Sequence, residues 1–307
     1  MAGPAHQVRV ALLPPAAAPA IRGRLAGRTP LRLVRLLRRY PSLTIGGVLI
    51  MLIGLIAVLA PVLAPRDPSA QSLARRLAAP GTFGFVLGTD AFGRDLLSRV
   101  VYGSRVSLMV GMASVAVGAL VGLVLGLVAG FYRGWTDAIV VRVVDVLLTF
   151  PPILLAIAIV AAAGSGLVNV IAAIAMTSVP RFARVVRAST LGARESEYVG
   201  AARLLGASDT RILARHILPN ILSSVVVIAT LNLGGAILTE ASLSFLGLGV
   251  APPTPTWGGI IQSGTQQLEK APWIALSAGV AIMLTVLGFN LLGDGVRDAL
   301  DPRLSER

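Results

Sequence analysis

The sequence predicts an all-α membrane protein with about six transmembrane helices and both termini in the cytoplasm. Three observations carry that expectation. Hydrophobic residues make up 55% of the 307-residue chain, mean hydropathy is +0.81, and charged residues contribute only 13%, about half their share in soluble domains. The apolar residues gather in runs of the ~20 residues that cross a bilayer. The arginines gather in blocks between those runs. A net charge of +13 would direct a soluble chain toward nucleic acid; arranged in this way it reports membrane orientation, and no nucleic-acid partner is expected. The chain has no Cys, which excludes disulfides and thiolate chemistry. With His6 and His216 as the only histidines, no metal site is expected.

Residues 1–42 read as an Arg-rich cytoplasmic segment. Met1 to about Pro30 is rich in Ala, Pro, Gly and Arg without periodicity, the composition of a disordered stretch. In Leu31–Tyr40, Leu33, Leu36 and Leu37 alternate with Arg32, Arg35, Arg38 and Arg39. That pattern fits a basic amphipathic helix on the inner membrane surface or an Arg-rich flank orienting the first span. The first apolar run begins near Leu43 and exceeds the roughly 7–15 residues of a signal-peptide core, so it is read as a retained span. Residues 43–307 then form the membrane domain, with spans at Leu43–Leu63, Val106–Gly130, Ala138–Ala163, Val168–Val186, Pro219–Leu246 and Trp273–Leu292.

Orientation follows from Arg9, Arg22, Arg24, Arg28, Arg32, Arg35, Arg38 and Arg39, which precede the first span with no acid among them. Arg181, Arg184, Arg187, Arg194, Arg203, Arg211 and Arg215, around the loop between the fourth and fifth spans, belong on the same side. Arg66, Arg75, Arg76, Arg94 and Arg99 run against this rule in the first outer loop, beside Asp67, Asp90 and Asp95.

In the second span Ser114, Gly118, Gly122, Gly126 and Gly130 recur every fourth residue. They draw a small-residue stripe on which another helix can approach closely, unless the register is an accident of 33 glycines in the chain. In the third span Arg142 and Asp145 stand three apart, within pairing distance, and Pro151-Pro152 should kink or interrupt the helix. Glu240 falls toward the outer end of the fifth span, about 31 Å from Pro219 at 1.5 Å per residue. It either lines a path through the membrane, pairs with a partner, or meets water at the interface. Asn232 is a weaker path candidate, and Asn232 or Asn290 serves equally well in an interhelical hydrogen bond. Trp273 suits an interfacial belt, and Trp257 either joins it or contacts a docked protein.

The charged stretch Glu197–Asn220 separates two spans. Ser196 is a candidate N-cap, with Glu197 in the first turn of a short helix. Gly206 suits the left-handed position that ends it. Ser208 or Asp209 can cap a second helix through Arg211, Ile212 and Arg215, and Pro219 falls in the first turn of the next span. The apolar face of Tyr198, Ala201, Ala202 and Leu205 is too small for a core of its own and calls for a partner.

The stretch "AARLLGASDTRILARHILPN" resembles the cytoplasmic EAA loop of ABC-importer permeases. Ala201, Ala202, Gly206, Leu218 and Pro219 match that pattern, while Gly200 stands where the family has Glu. Leu87–Gly111, Glu240–Ile261 and Gly288–Leu304 resemble corresponding segments of the second permease subunit of dipeptide, oligopeptide and nickel importers. The resemblance spans the chain from about Leu43 onward. It implies a type I importer permease fold and a place in the bacterial cytoplasmic membrane. It also implies a second permease subunit as heterodimeric partner, two cytoplasmic ATP-binding subunits and an extracytoplasmic substrate-binding protein. Residues 190–218 would be the ATPase-coupling loop, with Glu197, Tyr198, Ala201, Ala202, Arg203, Gly206, Ala207, Ser208, Asp209, Arg211, Leu218 and Pro219 as its contact residues.

No cofactor is expected in the chain itself, ATP and magnesium belonging to the partners. A phosphate-binding loop needs Gly-x-x-x-x-Gly-Lys-Ser/Thr, and the only lysine, Lys270, lies between Glu269 and Ala271. Catalysis is therefore not expected. The leading expectation is import of dipeptides or oligopeptides. A permease of the same family for nickel or another small solute is the near alternative. An ion-coupled secondary transporter is more distant, since Glu240 is its sole acidic candidate and lies off-centre. A hydrolase built on His216 lacks an evident nucleophile and base arrangement.

Overall fold

The computed structural model describes residues 40–300. The disordered and amphipathic segments expected before Tyr40 lie outside the described residues. Those described are helical apart from turns and one isolated bridge, Thr89 to Asp95.

Helix α1 (Pro41–Val58) opens with proline in its first turn and is followed by the one-turn α2 (Ala60–Leu63). An irregular outer segment with two 3-10 turns leads to α3 (Leu96–Tyr132). Helices α4 (Gly134–Thr149) and α5 (Pro152–Ala163) meet at Pro151-Pro152 with a bend of 93°, so the stretch expected as the third span is interrupted there. Helix α6 (Leu167–Arg194) is followed by the short α7 (Glu197–Leu204) and α8 (Asp209–Ile212). A π-helical turn, Leu213–Ile217, runs straight into α9 (Leu218–Phe245). The described residues end in α10 (Trp257–Thr265) and α11 (Pro272–Leu300). Among the described residues, five helices are long and apolar enough to cross a membrane, six with the α4–α5 pair counted as one.

Helix α3 begins ten residues before its expected start at Val106. Its first turns carry Ser98, Arg99 and Ser104, which no hydropathy window accepts, but all three are buried. Asp95 caps the helix by accepting from the Ser98 N–H at 2.8 Å.

The most extensive seam joins α3 to α6. A Cβ on Gly118 would sit 2.9 Å from Ser178 Cβ, one on Gly126 2.6 Å from Val186 Cβ, and one on Gly130 2.7 Å from Thr190 Cβ. Gly122 faces Phe182 in the same way. The stripe's partner is thus α6, whose own Ser178, Phe182, Val186 and Thr190 follow the same four-residue spacing. A second close crossing puts Gly46 of α1 against the α11 backbone at Gly288 and Leu292. Two apolar cores result. One lies among α3, α5, α6 and α9 and continues into α7 and α8; the other lies among α1, α3, α9, α10 and α11. Helices α3 and α9 belong to both.

Candidate functional site

The polar stretch between α6 and α9 folds into a compact knuckle. Ser196 and Ser208 occupy the N-cap positions with extended backbone, but neither side chain caps its helix. Ser196 Oγ donates instead to the Gly192 carbonyl at 3.4 Å, and Ser208 Oγ lies 3.3 Å from Thr210 Oγ1. Helix α7 ends as expected on Gly206, at φ +78°. The Ala207 N–H donates to the Ala202 carbonyl at 3.0 Å and the Gly206 N–H to the Arg203 carbonyl at 2.9 Å, the bond pair of a Schellman stop. A Cβ at Gly206 would meet nothing within 4 Å, so backbone conformation alone requires glycine there.

The apolar face divides differently from the expectation. Val199 and Ala202 turn inward and join Ile212 and Ile217 in the core shared with α3 and α6. Leu204 and Leu205 point outward, 92% and 88% exposed, beside the exposed Tyr198 and Ala201. The inward role of Val199 and the exposure of Leu204 escaped sequence reading. Val199–Ala202 spacing was the available signal, but it marks a buried face only once Ile212 is known to fold back on it. Glu197, Arg203, Ser208, Asp209, Arg211 and Pro219 are exposed, with Ala207 and Leu218 half-buried.

The knuckle is tied to the bundle at both ends. The guanidinium groups of Arg203 and Arg194 lie 5.5 and 5.9 Å from the Phe131 ring at the end of α3. Asn220 Nδ2, in the first turn of α9, donates to the His216 carbonyl at 2.6 Å and to Tyr198 Oη at 3.3 Å. Above it, carboxylates of α4 pair with arginines of α6: Asp137 with Arg187 at 2.6 Å and Asp145 with Arg184 at 2.9 Å. Asp145 therefore reaches across to α6 and not to Arg142 on its own helix. Interhelical pairing anchors the half-span α4, whose only buried residue is Val144.

Within the bundle Glu240 is fully buried, away from the water expected at the interface. The Ser244 hydroxyl donates to its Oε1 at 2.8 Å, and Ser107 of α3 lies beside it. Trp257 is also internal. It packs on Gly103, donates through Nε1 to the Val100 carbonyl at 3.0 Å, and through its N–H to Ser107 Oγ at 3.4 Å. Neither surface role expected of Trp257 applies. Asn232 is buried on α9, its Nδ2 donating to the Ile228 carbonyl at 2.7 Å and its Oδ1 accepting from Arg181 Nη1 at 3.2 Å. Arg181, expected with the cytoplasmic arginines, lies near the middle of α6.

Three of the five anomalous outer-loop arginines have a structural reason. Arg94 pairs with Asp90 at 2.6 Å, Arg99 approaches the same carboxylate at 3.4 Å, and Arg66 lies 3.7 Å from Asp95. Asp90 and Asp95 are buried. These charges hold a folded segment together, so they do not act as free positive charge beside a span.

A family model described as "binding-protein-dependent transport system inner membrane component" matches residues 122–306. A second, "N-terminal TM domain of oligopeptide transport permease C", matches residues 29–80. The glutathione transport system permease protein GsiD of Pectobacterium atrosepticum is 47% identical over 301 residues, covering 97% of this chain and 99% of that one. A putative peptide transport system permease protein of Brucella abortus is 48% identical over 279 residues, covering 91% and 94%. Among solved structures, an inward-facing form of the MetNI methionine ABC transporter matches with a TM-score of 0.57 at 21% identity, covering 67% of this chain and 98% of that one. That likeness shows the fold. The chain belongs to the inner membrane components of binding-protein-dependent transport systems, the multi-pass, non-catalytic permease subunits of bacterial ABC importers.

Proposed function

We propose that this inner membrane component is the second permease subunit of a peptide importer and receives mechanical work through its α7–α8 knuckle. In that assembly it pairs with a related permease, stands above two cytoplasmic ATPase subunits that hold ATP and magnesium, and takes substrate from an extracytoplasmic binding protein. The observation that carries the coupling role is the Leu204–Leu205 pair. Two large apolar side chains stand almost fully exposed on a knuckle whose other face is locked into the membrane core. Such a patch fits insertion into an apolar groove of a partner, and Arg203, Asp209 and Arg211 around it supply a polar rim.

The glutathione and peptide transport named in the relatives supports a peptide substrate. Asn232 at the middle of α9 and Glu240 toward its outer end, sealed in this conformation, are assigned to the translocation path. Gly118, Gly122, Gly126 and Gly130 serve as the seam that keeps α3 and α6 moving as one body. Uptake of labelled dipeptides and of nickel by cells carrying the full importer tests the substrate. Peptide uptake without nickel uptake is expected; the reverse would replace peptide with the metal. For coupling, Arg211→Glu is expected to lower transport while leaving membrane insertion intact, and wild-type transport by that variant would count against the docking surface.

A further inference from the structure

Arg181 is an arginine of α6 without the carboxylate partner that its neighbours have. Arg184 and Arg187, one and two turns toward the cytoplasm, are each paired with a carboxylate of α4. Arg181 is exposed, forms no ion pair with any described residue, and has only the neutral Asn232 amide as a side-chain partner, at 3.2 Å. The two residues meet near the middle of both helices. Arg181 is 14 residues from Leu167 and 13 from Arg194. Asn232 is 14 residues from Leu218 and 13 from Phe245. Fourteen residues of helix span about 21 Å, so a hydrocarbon layer of about 30 Å centred on these helices would contain both residues. A cation held there without a counter-charge is costly and calls for a polar surrounding or an anion.

The surroundings show where that anion would come from. A cleft of about 510 Å³ opens between the cytoplasmic halves of α6, α9 and α11, lined in part by Val185, Ser223, Ser224, Ile228 and Arg297. Val185 lies one turn below Arg181 and Ile228 one turn below Asn232, so the Arg181–Asn232 contact stands one turn beyond the cleft's lining. None of the residues lining the cleft is acidic, and Arg297 adds a second guanidinium lower down. The lining is mostly apolar, but Ser223, Ser224 and Arg297 within it, and Arg181 and Asn232 one turn beyond, supply polar groups that lipid tails do not suit. They suit an aqueous route that favours anions. Asn232 is itself fixed by its bond to the Ile228 carbonyl, so its Oδ1 can hold the guanidinium in one orientation while leaving other N–H groups free.

We propose that Arg181 is a carboxylate-binding station in the translocation path, oriented by Asn232, which engages the free carboxylate of the passing substrate. The inference rests on the peptide-importer reading, whose substrates carry a C-terminal carboxylate, and it adds a residue and a chemistry to that reading. Recognition is a charge-assisted, bidentate contact available to Arg and poorly reproduced by other side chains.

The test uses the complete importer, with both permeases, its ATPase subunits and its binding protein. Labelled trialanine and its C-terminal amide are the probes. Each variant is compared with wild type for the same peptide, so that the binding protein's own preference cancels. Arg181→Gln is expected to lower trialanine uptake about tenfold or more, as for the loss of one charged hydrogen-bonded contact, and to change amide uptake little. Asn232→Leu is expected to move uptake the same way by a smaller factor, and Arg181→Lys to restore part of it.

Equal losses for both peptides would overturn the proposal and make Arg181 a structural group or the counter-charge of a partner subunit. Unchanged uptake of both would overturn it outright while leaving the importer reading intact. Failure of the wild type to import either peptide would defeat the peptide reading and this inference with it. If the binding protein rejects the amide, Arg181→Lys decides: more trialanine uptake than Arg181→Gln supports the station, and equal loss refutes it.

Discussion

Along α3, a Cβ added to Gly118, Gly126 or Gly130 would come within 2.9 Å of a Cβ on α6; at Gly200 and Gly206 of the knuckle it would meet nothing within 4 Å. In the membrane, glycine is used for what it lacks: its missing side chain lets two long helices touch backbone to backbone, where dispersion and small-residue packing replace the hydrophobic effect. At the cytoplasmic end, Gly206 is used for a conformation, the left-handed turn that stops α7 and sends the chain back into α8. The contrast separates two mechanical jobs. In the proposed coupling mechanism, the α3–α6 seam is the body that moves without deforming and the knuckle is its handle. The shared core of Val199, Ala202, Ile212 and Ile217 with Val186 and Phe131 joins handle to body.

The sharpest way to break this contrast is to fill the seam. Gly126→Leu is expected to cost about 3 kcal/mol or more through overpacking and to leave little folded protein, read by thermal melting of the detergent-solubilised chain. Wild-type melting would mean that the seam yields. Next in size is the double substitution Leu204→Glu with Leu205→Glu. It should leave the isolated chain's melting unchanged, because both side chains already face water, while reducing uptake about tenfold or more, as expected for loss of an apolar anchor pair. Loss of stability without loss of coupling would reverse the assignment.

Gly206→Val is expected to be milder, about 1–2 kcal/mol for a β-branched residue forced into the left-handed region, with partial uncoupling. The smallest effect belongs to Gly200→Ala. That position is helical, exposed and open, so alanine should stabilise α7 by about 0.5–1 kcal/mol with transport retained. Destabilisation there would show that the helix needs glycine for a reason beyond its backbone.

Much of this was legible in the chain. The four-residue recurrence of glycine marked the seam because a helix repeats near that period, but the same recurrence in Ser178, Phe182, Val186 and Thr190 includes large residues, so the partner helix could not be named. Pro151-Pro152 announced a break, but not its 93° magnitude, nor that Asp137 and Asp145 reach α6. Gly206 was readable because only one common helix stop demands it.

What stayed hidden needed contacts between distant residues. Arg66, Arg94 and Arg99 looked like topology violations until Asp90 and Asp95 were seen folded against them. The early start of α3 was invisible to hydropathy because the buried groups there are polar. Arg181 was grouped with the cytoplasmic arginines because the amide that receives it, Asn232, lies 51 residues away.

The handle is the central claim, and the absence of cysteine in the natural chain makes its test clean. Leu205→Cys, labelled with a maleimide in membranes carrying the chain and its partner permease, should react freely without the ATPase subunits and be protected when they are bound. Val168→Cys, 75% exposed at the end of α6 opposite the knuckle, reports any general change in access. Protection of position 205 alone is the predicted result. Equal labelling of Leu205→Cys with and without bound ATPase subunits would contradict the account.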